Sequence, residues 1–330
     1  GKTKNYSEQF NYFDETHRKE LFDNLYPTGG ENTVELLNTK RPDILIILME
    51  GFGATMVESL GGVTGASPNI DRLSKEGIWF TQCYANSFRT DRGTICTFSG
   101  YQSFPDLSVM KIPAKSRTLP SIAGKLVKEG YHTDFLYGGD INFTNMKSYL
   151  LESGYQKLTA DTDFPMSQHQ NAWGVNDDIT FDHLYQMLKD RRDSPWHTAF
   201  LTLSSHEPFE VPYHRLKEKQ PNAFAFTDHC LGEFVERIRK TPVWNNLLIV
   251  CLPDHGFYYP AEGNGHDARI HHIPMLWLGG AVKQPMVINQ VMNQSDLAAT
   301  LLAQLGIDHS EFNFSRNILS TAYTYPFAYW

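Results

Sequence analysis

The sequence lacks long apolar runs, an excess of basic residues and paired cysteines, and each absence argues against a class of protein. No segment approaches the roughly 20 consecutive apolar residues that cross a bilayer. The net charge of −8 argues against a general nucleic-acid binder, so we expect no nucleic-acid partner. The four cysteines show no CxxC spacing, and we interpret them as buried free thiols rather than zinc ligands or a disulfide framework.

The composition is that of a folded protein with a large core. Apolar residues make up 41% of the chain and charged residues 20%, which excludes the disordered class. At 330 residues we expect one main domain with a small appendage. The predicted organisation is an arm over residues 1–40 packed on the domain, the domain itself over 41–310, and an extension of it over 311–330.

Apolar segments alternate with amphipathic ones along most of the chain. Strands followed by helices of about 10 to 15 residues predict an α/β fold, with a mostly parallel central sheet and helices on both faces. Predicted strands occupy residues 43–50, 78–84, 133–137, 198–203, 246–252 and 275–278, and predicted helices occupy 67–77, 119–129, 181–191, 226–240 and 295–305. Residues 141–175, rich in Asn, Asp, Gly and aromatic residues, are predicted to border an active site or form a lid.

Residues 43–55 are an almost wholly apolar stretch that ends in a single carboxylate, Glu50, and then breaks at glycine. In open α/β sheets the ligand crevice lies beyond the carboxyl ends of the strands, which predicts Glu50 at a functional site. A carboxylate in this position could equally cap the next helix. The stretch alone does not decide between the two interpretations.

Polar groups also follow other predicted strands: the Arg89-Thr90 turn, His206, and Asp254-His255. Glu, Asp and His together suit a divalent cation such as Mn²⁺, Zn²⁺ or Mg²⁺. A bound cation is also one of the few ways to activate a threonine hydroxyl such as that of Thr90 as a nucleophile. Taken singly, Thr90 reads as a helix cap, His206 as a loop histidine and Asp254-His255-Gly256 as an ordinary turn.

Four motifs, in this order, resemble the lipoteichoic acid synthase family of phosphoglycerol transferases. They are Ile44–Gly53 with Glu50, Asn86–Gly100 with Arg89-Thr90-Asp91, Ser205-His206-Glu207-Pro208-Phe209, and Leu248–Gly256 ending in Asp254-His255-Gly256. The family is part of the sulfatase-like branch of the alkaline phosphatase superfamily. The resemblance covers residues 41 to about 310 and implies that superfamily's α/β fold, with a small C-terminal subdomain.

The resemblance implies a role for each matching residue. Glu50, Thr90, Asp254 and His255 would bind one divalent metal, most often manganese, with zinc or magnesium as alternatives. Thr90 would be the nucleophile, and His206 would touch the phosphoryl group or protonate the leaving alcohol. The substrate residues that we expect are Arg89, Asp140, Asn145, Trp173 and His266.

The sequence also departs from the family pattern. The family carries a Phe-Trp-Asn-Arg run for the glycerophosphate group, whereas this chain has Phe143-Thr144-Asn145-Met146, without the tryptophan and the arginine. Sulfatases that hydrolyse sulfate esters need a Cys/Ser-x-Pro-x-Arg motif to make formylglycine. Residues Arg89–Thr94 contain nothing of that kind.

From these observations we expect a metal-dependent enzyme that transfers phosphoglycerol, or a related phosphodiester headgroup, through a phospho-threonine intermediate. Its substrates would be lipid- or glycan-linked phosphodiesters. The resemblance also implies a location outside the cytoplasmic membrane of a bacterium, held there by an N-terminal membrane anchor removed from this chain. The alternatives are a phosphodiesterase or phosphoethanolamine transferase of the same superfamily, or a non-catalytic sulfatase-like domain that binds a glycan or lipid.

Overall fold

A computed structural model describes residues 25–28, 31–87, 89–101, 119–259, 268–321 and 328. The strands are β1 Leu25–Thr28, β2 Glu31–Val34, β3 Asp43–Leu48, β4 Ile78–Tyr84, β5 His132–Tyr137, β6 Lys157–Thr159, β7 Trp196–Leu201, β8 Leu247–Leu252, β9 His272–Leu278, β10 Met286–Ile288 and β11 Met292–Asn293. The α-helices are α1 Pro68–Leu73, α2 Thr90–Ser99, α3 Ile122–Lys128, α4 Met146–Glu152, α5 Asp177–Leu188, α6 Lys219–Arg239, α7 Ala268–His271 and α8 Leu297–Gln304.

The centre of the fold is a nine-stranded sheet in the order β10-β4-β9-β8-β3-β7-β5-β6, with β11 paired to β4. All its pairings are parallel except the two that β9 makes, with β4 and β8. The predicted α/β fold with a mostly parallel sheet is therefore confirmed. The carboxyl ends of β3, β5, β7 and β8 consequently meet at one edge of the sheet.

Helices cover both faces of this sheet, as predicted. Alternate side chains of β3 enter two separate apolar cores, with Ile44, Ile46 and Leu48 on one face and Leu45 and Ile47 on the other. The first core receives apolar residues of α2, α3, α4 and α8, and the second receives those of α1, α5 and α6. Because β3 is buried on both faces, its sequence is a continuous apolar run rather than an alternating one.

One difference from the predicted elements is in α6, which begins at Lys219, whereas the sequence predicts a start at Phe226. Pro221 and Asn222 make the preceding residues look like a turn. Proline is tolerated in the first turn of a helix, however, because the N–H that it lacks would have no acceptor within the helix. The extra turns bury Phe224, which packs edge-on against Phe52 after β3.

The described part of the predicted arm packs on the domain. β1 and β2 form an antiparallel hairpin, and Val34 and Leu36 are buried in the core that contains α8. The backbone N–H of Val34 donates to the carbonyl of Leu319. Residues 1–24, 29 and 30 lie outside the described residues, and the arm over residues 1–40 stays a prediction. No helix in the described ranges is long and apolar enough to cross a membrane.

Candidate metal and nucleophile site

Glu50 lies two residues after the end of β3 and is held by both of its backbone groups. Its N–H donates to the hydroxyl oxygen of Thr202 at 2.9 Å, and its carbonyl accepts from the Ser205 hydroxyl at 2.6 Å. Both partners follow β7, the neighbour of β3 in the sheet. This anchoring directs the Glu50 carboxylate toward Thr90 and His255. Glu50 is buried, with only 5% of the residue exposed. The interpretation of Glu50 as a helix cap is not supported, because its carboxylate faces these side chains instead.

Thr90 is the first residue of α2, and its hydroxyl reaches the Glu50 carboxylate. The Oγ1 atom lies 3.1 Å from Oε2 and 3.3 Å from Oε1 of Glu50. At this position the N–H groups of the first helical turn have no acceptor within the helix. The hydroxyl therefore stands where a negatively charged phosphoryl group would also meet free N–H donors.

Asp254 and His255 follow β8 and complete the cluster. Oδ1 of Asp254 accepts from the N–H of Gly51 at 2.8 Å and from that of His255 at 3.0 Å. Nδ1 of His255 lies 2.8 Å from the Gly256 carbonyl, which makes Nδ1 the N–H donor. Nε2 of His255 is left facing Glu50 at 3.2 Å and Asp254 at 3.5 Å.

The donor set fits a divalent cation. Glu50, Asp254 and His255 each offer a ligand atom, and these atoms lie within 4.8 Å of one another. Oδ2 of Asp254 is buried and has no hydrogen-bond partner among the described residues, a costly arrangement without a cation. The Gly256 carbonyl fixes Nδ1 of His255, and Nε2 is directed at the cluster. This is the usual arrangement of a metal-binding histidine. Two carboxylates, an imidazole and a hydroxyl suit Mn²⁺, Zn²⁺ or Mg²⁺.

The electrostatics of the cluster also point to a cation. Burial and the nearby charge of Glu50 raise the pKa of Asp254 to about 8. Burial alone would lower the pKa of His255, but the charge of Asp254 and the hydrogen bond to Glu50 raise it to about 10. Without a cation, the cluster therefore keeps protons near neutral pH that a metal ion would have to displace.

His206 and Trp173 form one wall beside the nucleophile. Their ring centroids lie 4.2 Å apart. Nδ1 of His206 lies 2.9 Å from the Glu207 carbonyl, and the indole N–H of Trp173 donates to the same oxygen at 2.6 Å. With Nδ1 as the donor, Nε2 of His206 is free for a substrate oxygen.

The cluster opens into two adjoining cavities that share Glu50, Thr90, Phe143 and His206. The first, which we call the aromatic–acidic cavity, has a volume of about 350 Å³ and is also lined by Tyr137, Asp140, Met146, Asp161, His169, Asn171, Ala172, Trp173, Gly174 and Leu203. The second, the Arg89 cavity, has a volume of about 300 Å³ and is also lined by Gly51, Arg89, Asp91, Ser205, Glu207, Phe209, His255 and Phe257. Thr90 is accessible from both.

The remaining predicted substrate residues divide between these cavities and other positions. Arg89 is half-exposed and lies 3.4 Å from the buried carboxylate of Asp91. Asp140 and Trp173 line the aromatic–acidic cavity. Asn145 is exposed in the same loop with a positive φ of 63° and lines neither cavity. His266 lies outside the described residues.

The sequence prediction missed residues that support the cluster from a distance. The Gln294 amide donates to the carbonyls of Pro253 and Asp254 at 2.9 and 2.8 Å. Gly93 in α2 packs so closely on Asp254 that an added Cβ would lie 1.9 Å from its carbonyl oxygen. Asp161 was also missed, and its sequence context gives no sign that it reaches the cavity.

Gly93→Ala is expected to destabilise the protein by more than about 2 kcal/mol and to weaken metal binding, because either α2 or the Asp254 loop must move. Gly61→Ala is the control, since its added Cβ meets nothing within 4 Å and only its positive φ of 89° is strained. That strain costs about 1 kcal/mol. Chemical denaturation and manganese titration of both variants test this, and equal losses in the two would contradict it.

Comparisons with known proteins agree with this architecture. A model of the Sulfatase family matches residues 42–307. Phosphoglycerol transferase I of Xanthomonas campestris pv. campestris (strain B100) is 24% identical over 59% of this chain and 30% of its own length. Lipoteichoic acid synthase of Staphylococcus aureus (strain USA300) is 21% identical over 83% of this chain and 46% of its own. The chain thus spans less than half the length of these curated relatives.

Solved structures show the same fold. A protein in the alkaline phosphatase superfamily from Vibrio parahaemolyticus matches with a TM-score of 0.76 and 29% identity, over 87% of this chain and 72% of that one. The lipoteichoic acid synthase LtaP from Listeria monocytogenes matches with a TM-score of 0.77 and 18% identity, over 92% and 82%. Because the family match covers most of the sequence, the chain belongs to the sulfatase family.

Proposed function

We propose that this chain is a metal-dependent transferase that moves phosphoglycerol, or a related phosphodiester headgroup, through a covalent intermediate on Thr90. The observation that carries the proposal is the Thr90 hydroxyl at a helix N-terminus, 3.1 Å from Glu50 and next to the Asp254–His255 pair. The names of the relatives support transfer of a phosphodiester headgroup. Residues 89–94 offer no cysteine or serine for formylglycine, so hydrolysis of sulfate esters is not proposed.

Glu50, Asp254, His255 and Thr90 would hold the cation, with manganese as the first choice. A divalent cation at this position would lower the pKa of the Thr90 hydroxyl and neutralise charge on the phosphoryl oxygens. The other contributions to the reaction come from residues of the chain itself. The Thr90 hydroxyl donates a hydrogen bond to Glu50, which would accept its proton, and the N–H groups of the first turn of α2 would face the phosphoryl oxygens.

The proposed reaction has two displacements at phosphorus. In the first, Oγ1 of Thr90 forms a bond to phosphorus, its proton passes to the Glu50 carboxylate, and the bond from phosphorus to the first alcohol breaks. The departing oxygen takes a proton from Nε2 of His206 in its imidazolium form. In the second, an acceptor alcohol or water attacks phosphorus and gives its proton to Nε2 of His206, while the bond from phosphorus to Oγ1 breaks and Oγ1 takes back the proton held by Glu50, which restores Thr90 and the imidazolium. The substrates would be lipid- or glycan-linked phosphodiesters outside the bacterial cytoplasmic membrane.

Incubation with Mn²⁺ and phosphatidylglycerol tests this proposal directly. We expect an adduct of the mass of glycerol phosphate on Thr90, detected by intact-protein mass spectrometry and mapped by peptide sequencing. Adduct formation should stop when the metal is removed with a chelator. The absence of any Thr90-dependent adduct or turnover with phosphoglycerol, phosphoethanolamine and para-nitrophenyl phosphodiesters would overturn the proposal. A non-catalytic binding domain would also hold no stoichiometric metal, which elemental analysis measures.

Metal uptake is expected to release protons. Because the pKa values of Asp254 and His255 both lie above 7 in the absence of a cation, the affinity for Mn²⁺ should rise as the pH increases from 6 to 8. Calorimetric titration in buffers of different ionisation enthalpy should show about two protons released per metal at pH 7, one from Asp254 and one from His255. The control is His132→Gln, which removes an exposed histidine far from the cluster. An affinity that does not change over this range would contradict the proposed ligands.

A further inference from the structure

The two cavities beside Thr90 differ in charge. The aromatic–acidic cavity has Asp140 and Asp161 in its wall, and its described lining residues include no lysine or arginine. Neither carboxylate forms an ion pair with a described residue. The Arg89 cavity also has two carboxylates besides that of Glu50, those of Asp91 and Glu207, but its lining includes a guanidinium, that of Arg89, 3.4 Å from Asp91. The two sides of the nucleophile therefore face different parts of a substrate.

Aromatic rings surround the entrance to the aromatic–acidic cavity. Phe143 is 51% exposed and Trp173 is 40% exposed, and together they give this cavity an exposed apolar surface of the kind found at ligand-binding sites. Their ring centroids lie 6.4 Å apart, with the planes at 76°. Tyr137, which is half-buried, also lines this cavity. Rings set at a steep angle around an acidic cavity can present their faces to a cation.

The replacement of the arginine in the family's glycerophosphate run also makes this cavity more negative. Met146 lines the aromatic–acidic cavity at the position where that run carries arginine. Methionine offers a polarizable apolar surface and no positive charge. The change removes a cation from a cavity that already contains two carboxylates, and so increases its negative character.

We propose that the aromatic–acidic cavity binds a positively charged headgroup, namely the amine of an aminoalcohol esterified to the phosphodiester. Asp140 and Asp161 would pair with the ammonium group, and Trp173 and Phe143 would contact it through their ring faces. This inference rests on the proposed function, since it names the headgroup that Thr90 would receive. The phosphate would then lie at Thr90, with its other ester group on the side of Arg89.

A neutral polyol fits this cavity less well. Glycerol could donate hydrogen bonds to Asp140 and Asp161, but it carries no charge to pair with them, and the described lining offers them no lysine or arginine. An ammonium group compensates them and also gains from the aromatic faces. The two headgroups are similar in size, so charge rather than volume distinguishes them.

Turnover of three para-nitrophenyl phosphodiesters with the manganese-loaded protein tests the inference. Their second ester groups are aminoethyl, N-acetylaminoethyl and glyceryl, so the leaving group is the same and only the headgroup changes. We expect kcat/KM for the aminoethyl ester to exceed that for the glyceryl ester by about tenfold or more. Acetylation, which removes the charge, should abolish the preference.

Asp140→Asn and Asp161→Asn separate charge from hydrogen bonding, because asparagine keeps a polar side chain of the same shape. Each should reduce the ratio of aminoethyl to glyceryl turnover by about threefold or more, and the double variant should bring it close to one. Asp190→Asn makes the same charge change at an exposed position outside the cavity and should leave the ratio unchanged.

A binding measurement keeps the inference independent of catalysis. Calorimetry with the manganese-loaded protein should show tighter binding of ethanolamine phosphate than of glycerol phosphate, and Asp161→Asn should remove the difference. Equal or tighter binding of glycerol phosphate, or a preference that survives the double variant, would overturn the cationic headgroup. Failure of the proposed function looks different: no ester would show Thr90-dependent turnover, while the binding preference would still decide this inference.

Discussion

Thr90→Ala is expected to lower turnover of every phosphodiester substrate by at least about 10³-fold and to abolish the covalent adduct. The variant removes the one oxygen that would bond to phosphorus. Glu50, Asp254 and His255 remain, so the protein should still bind a cation, although less tightly because one ligand atom is lost. The loss should therefore appear mainly in kcat, measured by para-nitrophenol release at saturating manganese.

Two variants make this result specific. Thr90→Ser keeps a hydroxyl at the start of α2 and should retain measurable turnover and the adduct. Thr97→Ala removes another buried hydroxyl of the same helix, which donates to the Gly93 carbonyl at 2.7 Å, and should stay within a few-fold of the unmodified protein. If Thr90→Ala kept turnover within tenfold of the unmodified protein, Thr90 would not be the nucleophile, and direct attack by water would have to be considered.

The cluster could be predicted from the sequence because its members follow buried strands. Parallel topology brings the carboxyl ends of β3, β7 and β8 to one edge, so Glu50 and Asp254 become neighbours although 204 positions separate them. Apolar runs that end in a carboxylate or histidine are visible in a single sequence. Sheet order is not, and therefore the distances within the cluster required the structure.

The residues that the sequence did not reveal act through close packing or lie on irregular segments. Gly93 matters because Asp254 packs against it, and Gln294 matters because its amide reaches two carbonyls after β8. Neither contact leaves a pattern in the surrounding sequence. Asp161 reaches the aromatic–acidic cavity from a short 3₁₀ turn after β6. Asn145, by contrast, matched a family motif but is exposed and lines neither cavity.

Asp254→Asn is expected to affect the stability of the protein differently without metal and with metal. In the metal-free protein, burial and the charge of Glu50 raise the pKa of Asp254 above its ordinary value of 3.8. The folded protein therefore loses stability as the pH rises above 3.8, because the buried carboxyl group resists ionisation. A neutral asparagine avoids this cost and can still accept from the N–H groups of Gly51 and His255. The metal-free variant should thus melt at or above the temperature of the unmodified protein at pH 8.

Addition of Mn²⁺ should reverse this order. A ligand at 100 times its dissociation constant stabilises a protein by about 2.7 kcal/mol, and the variant, which lacks the anionic Oδ2, should gain little of this. Turnover should fall by at least about 10²-fold for the same reason. Thermal melts with and without manganese, together with elemental analysis, measure both effects.

Asp177→Asn provides the matched control for this experiment. Asp177 is also buried, but both of its oxygens are satisfied: Oδ1 accepts from the N–H groups of Leu203 and Ser204, and Oδ2 accepts from the Thr227 hydroxyl. Its replacement should destabilise the protein by about 1 to 3 kcal/mol with or without metal, and the stabilisation by manganese should persist. If Asp254→Asn behaved in the same way, the Oδ2 atom, which has no hydrogen-bond partner among the described residues, would be a structural defect of the loop rather than a ligand for a cation.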